Sequence, residues 1–494
     1  MNIAQTTQET LGLMKESLAK TLTVSSGLTA YDLQAPAKNL YPTITPLRNS
    51  LPRVARLNPG DAARWRTINS ITGSGYDAMG WVPEGQRSAS MNYQAILKTA
   101  PYLTLGEEDT VTFEAESAAQ GFEDINATAT LRILQKTMRK EEHALMGGNT
   151  SLALGTPGQP TLSASGTGAT LPVATYSVIV VGLTFEGYSN SSLSGGVATT
   201  KTITGNDGNT YTLSGGSSMQ SANATHAVTS GQTLFATLTN PPQGTVAYAW
   251  FVGATVGSET LQAITTINSA AFSAPLTTGQ QAATAITADN SRNATLAFDG
   301  LLTVGFNPVN GAYVQALAPG TAGTGTFLTA SGRGTVVEID NMLMQMWNTY
   351  RISPTVIYVN AQEQKNITNK CLSNASGPLL RYNVATDANN SQPYDLTASG
   401  VVRWYYNPLT GDEIPLNVHP DLPPGTILAF CERLPVWYQS NQVPNVAEVM
   451  TRRDYYRIDW PIVTRSREFG VYAEETLAVY APFGVGILTN IGNG

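Results

Sequence analysis

The clearest periodic pattern of apolar and polar positions lies between residues 122 and 146, a stretch that contains no Gly or Pro. Its apolar side chains recur every three or four residues, at Phe122, Ile125, Ala129, Ile133, Leu134, Met138 and Leu145. This spacing places them on one face of an α-helix. Because Gly147 and Gly148 follow directly, the pattern predicts a long helix that ends at these glycines.

A second helical pattern begins at Thr335, where Thr335 and Glu338 have the spacing of a capping box. Apolar residues then follow at helical spacing as far as Tyr350. Residues 355–359 form an apolar run typical of a buried strand, and Asn360 can cap a further helix. Helix, strand and helix in quick succession predict a compact α/β layer.

Extended structure is predicted on both sides of these helices. Residues 64–72 and 91–105 are β-prone and flank a tip that contains residues 81–85, which indicates a long hairpin-like loop. Near the C terminus, residues 455–460 alternate in polarity, and residues 473–482 predict a closing strand before a Gly-rich tail.

Residues 30–60 form an arm that we predict to be extended, because proline fixes the backbone and interrupts helices. Such an arm has little core of its own, so it is expected to become ordered on a neighbouring molecule. The prolines of this arm are Pro36, Pro42, Pro46, Pro52 and Pro59.

Residues 150–290 differ from both flanks in composition, with only five charged side chains in a background of Thr, Ser, Gly and Ala. Short β-rich runs such as residues 175–181 and 245–252 are separated by turn signals, which predicts a β-sandwich. The alternative is a disordered linker, but Trp250 and its apolar neighbours favour a folded core.

Composition narrows the class of protein. The chain has 494 residues, a net charge of −7 and only 13% charged residues. Its two cysteines, Cys371 and Cys431, cannot build a disulfide framework, so a reducing compartment is expected. Neither a signal peptide nor a membrane-spanning stretch is predicted. The acidic balance argues against general attraction to nucleic acid, but it leaves one local basic face possible.

The sequence offers no pattern typical of catalysis or of a metal site. His143, His226 and His419 lack ligand spacing to another His or Cys. Neither a nucleophile elbow nor a phosphate-binding loop occurs. The carboxyl clusters 107–109 and 474–475 are expected to be exposed. We therefore predict a protein that is not an enzyme, with no catalytic residue, no cofactor and no metal.

One basic stripe stands out on the long predicted helix. It comprises Arg132, Lys136, Arg139, Lys140 and His143. Like charges at this spacing repel, so an external anion would relieve the repulsion. Two interpretations stay open: a solvated face neutralised by Glu141, Glu142 or a neighbouring subunit, or a surface that faces packed nucleic acid.

Four segments in this order resemble the major capsid proteins of tailed bacteriophages with the Hong Kong ninety-seven fold. They are residues 41–53, 81–85, 143–149 and 472–482. The resemblance implies an α+β fold with an N-terminal arm, an E-loop, a P-domain with a spine helix, an A-domain and an inserted immunoglobulin-like sandwich. The implied boundaries are an arm at 1–60, an E-loop (extended β-hairpin) at 61–105, a P-domain with spine helix at 106–156, the inserted all-β sandwich at 157–286, an A-domain at 287–450, and P-domain return strands with the tail at 451–494.

The resemblance also implies a function. The chain would self-assemble into pentamers and hexamers of an icosahedral phage head that encloses double-stranded DNA. Its partners would be copies of itself, packaged DNA, a portal, and possible scaffolding and cement proteins, without a membrane. It would be located in the virion capsid and be assembled in the bacterial host cytoplasm. Some members of the family that the chain resembles join their subunits through an isopeptide bond from an E-loop lysine, but no Lys lies between Lys38 and Lys98, so the tip of this loop cannot supply that lysine.

Site residues follow from this interpretation. The candidates for contact between subunits are Trp65, Tyr76, Trp81, Glu84, Arg48 and Arg53, and the candidates that face DNA are Arg132, Lys136, Arg139 and Lys140. The inserted domain is expected to be separable, so that deletion of residues 157–286 should permit assembly. The alternatives are a surface adhesin or carbohydrate-binding module on an α+β mount, and a hydrolase with an accessory β-domain.

Overall fold

A computed structural model describes residues 38–56, 60–73, 79–120, 123–331, 334–373, 380–382, 396–398, 401–441 and 445–494. Residues 1–37 of the predicted arm and the predicted contact residue Tyr76 lie outside the described residues. The α-helices are α1 (Pro46–Ser50), α2 (Phe113–Ala119), α3 (Ile125–Gly147), α4 (Phe185–Asn190), α5 (Leu301–Phe306), α6 (Val337–Tyr350) and α7 (Ala361–Ser373).

The strands fall into three groups along the chain. The first group is β1 (Arg53–Ala55), β2 (Ala62–Thr72), β3 (Asn92–Pro101) and β4 (Leu103–Thr112). The second is β5 (Thr161–Ser165), β6 (Ala174–Leu183), β7 (Thr200–Thr204), β8 (Thr210–Ser214), β9 (Ala224–Val228), β10 (Thr233–Thr237), β11 (Ala247–Gly253), β12 (Thr260–Thr265) and β13 (Ser269–Phe272). The third is β14 (Tyr313–Ala316), β15 (Ala330–Ser331), β16 (Thr335–Val336), β17 (Val356–Val359), β18 (Leu380–Tyr382), β19 (Leu396–Ala398), β20 (Trp404–Tyr406), β21 (Glu413–Val418), β22 (Ile427–Phe430), β23 (Ala447–Asp459), β24 (Ser466–Val479) and β25 (Val485–Thr489).

The chain divides into two compact units. The described parts of the smaller unit are residues 38–42, 109–120, 123–132 and 459–469. In it, Thr112 caps α2 by accepting a hydrogen bond from the Ala115 N–H, and Arg467 pairs with Glu116 at 3.1 Å. The larger unit contains residues 43–108, 133–458 and 470–494, with their described parts. The buried cores and the contacts described below belong to this larger unit.

Helix α3 is the long helix that the apolar spacing predicts, and it ends at Gly147 as expected. Its apolar face is buried at positions that include Ala129, Ile133 and Leu145. Gly147 is needed for packing as well as for ending the helix, because a Cβ at that position would overlap the Phe185 ring.

A six-stranded sheet with the order β14-β25-β22-β17-β21-β20 forms the centre of the main core. Strands β17, β22 and β25 are buried along their whole length, which explains their continuous apolar sequences. Two sequence predictions need correction here. The Gly-rich tail contains β25, because Val485, Ile487 and Leu488 pair with β22 and are buried in the core. Thr335 forms no capping box, because β16 pairs with β15 there and α6 begins without a side-chain cap.

The arm prediction is also wrong in part. Pro46 begins the one-turn helix α1, a position where proline is well tolerated because its missing N–H would be unpaired there anyway. Leu47 and Leu51 belong to the main core of the same chain. This segment therefore becomes ordered on its own subunit.

The predicted β-sandwich is present. Strands β13-β10-β5 form one sheet, and β12-β11-β6-β9 form the other. Side chains from both sheets share one buried cluster, in which Trp250 and Tyr248 of β11 meet Leu234 of β10 and Phe272 of β13. The fold class predicted from the sequence, α+β with an all-β insertion, is confirmed. Its likeness to immunoglobulin domains and the exact domain boundaries stay predictions. Among the described helices, none is long and apolar enough to cross a membrane.

Candidate assembly surface

The predicted long hairpin is formed by β2 and β3, which pair antiparallel from Ala62 opposite Pro101 to Thr72 opposite Asn92. The register shifts once, between Ile68 and Ser70. The two strands form a sheet of their own, and 11 residues of strand span about 36 Å. The hairpin is therefore a long ribbon that has a single layer along most of its length.

Only the base of this ribbon is packed against the larger unit. Ala63 shares a small buried cluster with Met450 and Ala478. The Trp65 ring meets the Tyr480 ring edge-on, with 5.6 Å between centroids. The Lys98 ammonium donates to the Asn310 side-chain oxygen at 3.0 Å. These contacts fix the base and leave the outer part of the hairpin without a core.

The outer part exposes large apolar side chains. Trp81, beside the tip, is 94% exposed. The others are Ile68, Ile71, Met79, Val82, Met91, Tyr93 and Leu97. An isolated two-stranded hairpin is marginally stable in water, and exposed apolar patches of this kind mark sites of association. We call the outer part of β2 and β3 together with residues 79–91 the hairpin surface.

The predicted contact residues of the hairpin occupy different environments. Trp81 and Glu84 are exposed next to the tip. Trp65 lies at the base, where Tyr480 of the same chain already contacts it. A contact of these three residues with another subunit stays a prediction.

Arg48 and Arg53 lie in a buried charge network within the larger unit. The Arg48 guanidinium donates to Glu141 at 2.6 Å, and Arg53 also pairs with Glu141. Arg53 further pairs with Glu475 at 2.9 Å and Asp454 at 2.7 Å. The side chains of Glu141 and Glu475 have 0% exposure. The role of Arg48 and Arg53 in contacts between subunits therefore stays a prediction, next to these partners within the chain.

The expectation that Glu474 and Glu475 are exposed is wrong. Successive strand residues point to opposite faces, so Glu475 reaches Arg53 and Glu474 reaches Arg452. Buried carboxyl groups are rare unless they are paired, and here each has an arginine partner.

Glu142 and His419 extend the network toward α1. The Glu142 carboxylate accepts hydrogen bonds from the backbone N–H groups of Leu47 at 2.9 Å and Arg48 at 2.7 Å. It also lies 2.6 Å from Nε2 of His419. Because the Asp421 N–H donates to Nδ1 of His419, the imidazole hydrogen is on Nε2 and is donated to Glu142. His419 is thus a fully buried connector, which its loop sequence did not indicate.

The network shifts the pKa values of its members. Burial raises the pKa of Glu475, and the neighbouring Glu141 raises it further, against the opposing effect of Arg53. Burial alone would lower the pKa of Arg53, but Glu141 and Glu475 raise it above its usual value. These ion pairs tie residues 47–53 to α3, β23 and β24.

The basic residues of the stripe on α3 fall into two groups, those with an ion-pair partner and those without one among the described residues. Arg139 pairs with Asp421 at 3.0 Å, and Lys140 pairs with Glu107. The expectation that Glu107 is exposed is wrong, because this residue is half-buried in strand β4. Arg132 and Lys136 are exposed, and neither has an ion pair among the described residues. Burial lowers the pKa of His143, while the nearby Asp421 opposes this shift.

In the part of the chain that the structure describes, no group of three His, Cys, Asp or Glu side chains could hold a metal ion. Both cysteines are free and buried. Burial raises the pKa of Cys371 to about 11 and that of Cys431 to about 12, so neither is an activated nucleophile.

No protein-family model matches this chain, and no curated protein matches it. Several solved structures are similar to this chain over nearly its full length. The capsid of the native GTA particle is 9% identical and has a TM-score of 0.42, covering 96% of this chain and 99% of its own. Mycobacterium phage Bobi is 9% identical with a TM-score of 0.40, covering 95% and 98%. The holo-SrpI encapsulin complex from Synechococcus elongatus is 10% identical with a TM-score of 0.38, covering 95% and 94%.

Proposed function

We propose that this chain is the major capsid protein of a tailed phage, which assembles into pentamers and hexamers of an icosahedral head around double-stranded DNA. The single observation that carries this proposal is the hairpin surface. It combines a base fixed by packing with an outer part whose apolar side chains lack a core in the described chain.

The energetics favour burial of this surface on other copies. Complete burial of one large apolar side chain is worth about 1.5–3 kcal/mol. Eight such side chains, from Ile68 to Leu97, are exposed on the hairpin surface. A contact between this surface and a different face of the next copy is heterologous, and heterologous contacts form rings where the rotation between copies closes. Repeated rings of five and six are what a closed shell requires.

The charge network supports the same function by fixing the segment that precedes the hairpin. Glu141 and Glu475 hold Arg53, and Glu142 holds the backbone of α1. A shell subunit needs its projecting part to leave the body in one direction, and a buried ion network with good partners favours a single arrangement.

Contact with packaged DNA is the role that we propose for Arg132 and Lys136, the exposed members of the stripe that have no ion pair among the described residues. Arg139 and Lys140 are already neutralised by Asp421 and Glu107 and contribute less. The proposal also implies a portal, possible scaffolding and cement proteins, and assembly in the cytoplasm of a bacterial host.

The adhesin alternative is not favoured. A binding module on a mount should form its own core and touch its mount little. Here two residues of the sandwich segment, Phe185 and Val246, are part of the main core instead.

Electron microscopy of the purified full chain tests the proposal. We expect closed particles with five-fold and six-fold capsomers. A monomer that stays soluble under every salt and concentration condition would contradict the proposal. Binding to glycans by such a monomer would support the adhesin alternative.

A further inference from the structure

Among the described residues, the sandwich of β5–β13 contacts the rest of the larger unit at several places, three of which are central here. The first is the end of α3. Phe185 and Val246, from the two connections that leave β6 and enter β11, are buried in the main core together with Leu145 and Met146. The Phe185 ring fills the space that Gly147 leaves open. The sandwich segment thus completes the core at the end of the long helix.

The second place is the C-terminal tail. The Tyr248 hydroxyl, within the sandwich core, donates to the Asn490 side-chain oxygen at 2.9 Å. Asn490 is buried and has a φ of 62°, a left-handed conformation that asparagine tolerates better than most residues. It directly follows β25, so a sandwich side chain supports the turn after a central strand of the main sheet.

The third place is strand β4, which directly follows the hairpin. The turn between β7 and β8 brings the Asn206 side-chain amide to the Glu108 carboxylate at 2.8 Å. The Tyr472 hydroxyl of β24 donates to the same carboxylate. The β7–β8 turn of the inserted segment is therefore bonded to β4 and, through the same carboxylate, is linked to β24.

The two connections to the sandwich are also tied to each other. The Asn149 side-chain amide donates to the Ser291 carbonyl at 2.7 Å, and the Gly155 N–H donates to the Asp289 carboxylate at 2.8 Å. The Thr150 N–H donates to Asp299 at 2.8 Å. A flexible hinge would lack such hydrogen bonds between the two connecting segments.

We infer that the inserted sandwich is an internal brace, an obligatory part of the subunit that unfolds together with the main sheet and is not a separable decoration. It ties the end of α3, the turn after β25 and the sheet at β4 into one cooperative body. This inference goes beyond the proposed function and does not depend on shell assembly.

Hydrogen exchange on the unassembled full chain tests the brace, with a substitution inside the sandwich and a readout outside it. Leu234 is fully buried in the sandwich core, in the three-stranded sheet. We expect Leu234→Ala to speed exchange in β22 and β25 of the main sheet about 30-fold or more, as in the sandwich itself. Faster exchange that is confined to residues 161–272 would overturn the inference.

Tyr248→Phe provides a milder second variant, which keeps the test decisive if Leu234→Ala fails to fold. It removes only the hydrogen bond to Asn490, and we expect exchange in residues 485–491 to rise about 5-fold. Tyr176→Phe is a matched companion variant, because the Tyr176 hydroxyl bonds to Pro172 within the sandwich segment. Since a sandwich that unfolds together with the main sheet transmits this loss as well, exchange of β25 should rise in both Tyr→Phe variants. Exchange of β25 that stays at the parent value in both would contradict the brace.

Discussion

The hairpin surface and the sandwich are both made of β-prone, apolar sequence, yet they have opposite fates within the subunit. In the sandwich, β6 and β11 are buried almost throughout, because a second sheet covers one face, and side chains from elsewhere in the inserted segment, among them Val197, Ala283 and Ile286, cover the other. In the hairpin, β2 and β3 form a sheet of their own, and their large side chains lie in water. Apolar pattern predicts that a segment needs burial, but it does not say whether the partner belongs to the same chain.

The brace inference predicts the opposite of the sequence expectation about deletions. That expectation treats residues 157–286 as removable, whereas their loss would take Phe185 and Val246 out of the main core. We expect the subunit to fold without the outer half of the hairpin, because this part contributes little to that core.

The largest expected effect comes from shortening the hairpin. Replacement of residues 67–96 by a short turn should abolish particle formation and leave the body folded, because the base contacts of Ala63 and Lys98 remain. Electron microscopy and circular dichroism measure the two properties. Normal particles from the shortened chain would show that the hairpin surface is not an assembly contact.

Removal of Arg53 should produce the next largest effect. Arg53→Met leaves Glu141 and Glu475 buried with one guanidinium fewer, and breaking a buried pair costs about 3–5 kcal/mol of the free energy of unfolding. Arg64→Met is the matched control on the hairpin, since Arg64 pairs with Asp61 in solvent, and we expect a loss below about 1 kcal/mol. Urea unfolding of unassembled subunits gives both values, and equal losses would refute the importance of the network.

Substitution of one tryptophan in the sandwich and one in the hairpin surface compares how much each region contributes to the stability of the subunit. Trp250 is 0% exposed in the sandwich core, so Trp250→Ala should lower the free energy of unfolding by about 3–5 kcal/mol. Trp81→Ala should change it by less than about 0.5 kcal/mol and instead reduce particle yield. Chemical denaturation and particle counts separate the two effects. A strongly destabilised Trp81→Ala subunit would mean that the tip has a partner within its own chain.

The pH dependence of the free energy of unfolding should reveal the raised pKa of Glu475. Its pKa is raised by burial first and by Glu141 second, above the unfolded value of about 4.3. The stabilisation from this group is therefore complete below the unfolded pKa and is lost as the pH rises through the folded pKa. We expect Glu475→Gln to be relatively more stable than the parent at pH 9 than at pH 5.

The neighbouring Glu474 gives a control of opposite sign. Burial opposes the shift, but hydrogen bonds from Arg452 and Tyr456 lower its pKa, so its stabilisation is lost as the pH falls. Urea titrations of Glu474→Gln and Glu475→Gln at three pH values should show opposite trends. The same trend in both would rule out the environment assigned to Glu475.

The smallest effect on stability is expected from Lys136, which is exposed and lacks an ion pair among the described residues. Lys136→Glu should change the free energy of unfolding by less than about 0.5 kcal/mol and lower the nucleic-acid content of purified particles. Lys201→Glu, on the exposed face of β7, is the control in the sandwich. Identical nucleic-acid content in both variants would remove α3 as a DNA-facing element.

The sequence by itself determined the local elements. Apolar spacing and end signals predict a helix over residues 122–146, where α3 spans Ile125–Gly147. Asn360 marks the start of α7, and β-prone runs indicate both the hairpin and the sandwich. These features depend on residues a few positions apart, where period, caps and turns have direct physical consequences. The same information predicted that the hairpin is apolar and that Trp81 lies near its tip.

Only the tertiary structure decided which buried groups meet. Arg53 and Glu475 are 422 residues apart in sequence, and Tyr248 and Asn490 are 242 apart. A carboxylate in a sequence carries no sign of its partner. The sequence therefore predicts an exposed Glu475 and an arm that becomes ordered on a neighbouring molecule, and it does not indicate that His419 is buried. Burial of a charge becomes favourable only when distant segments bring the opposite charge and the donors to it, and that depends on the whole fold.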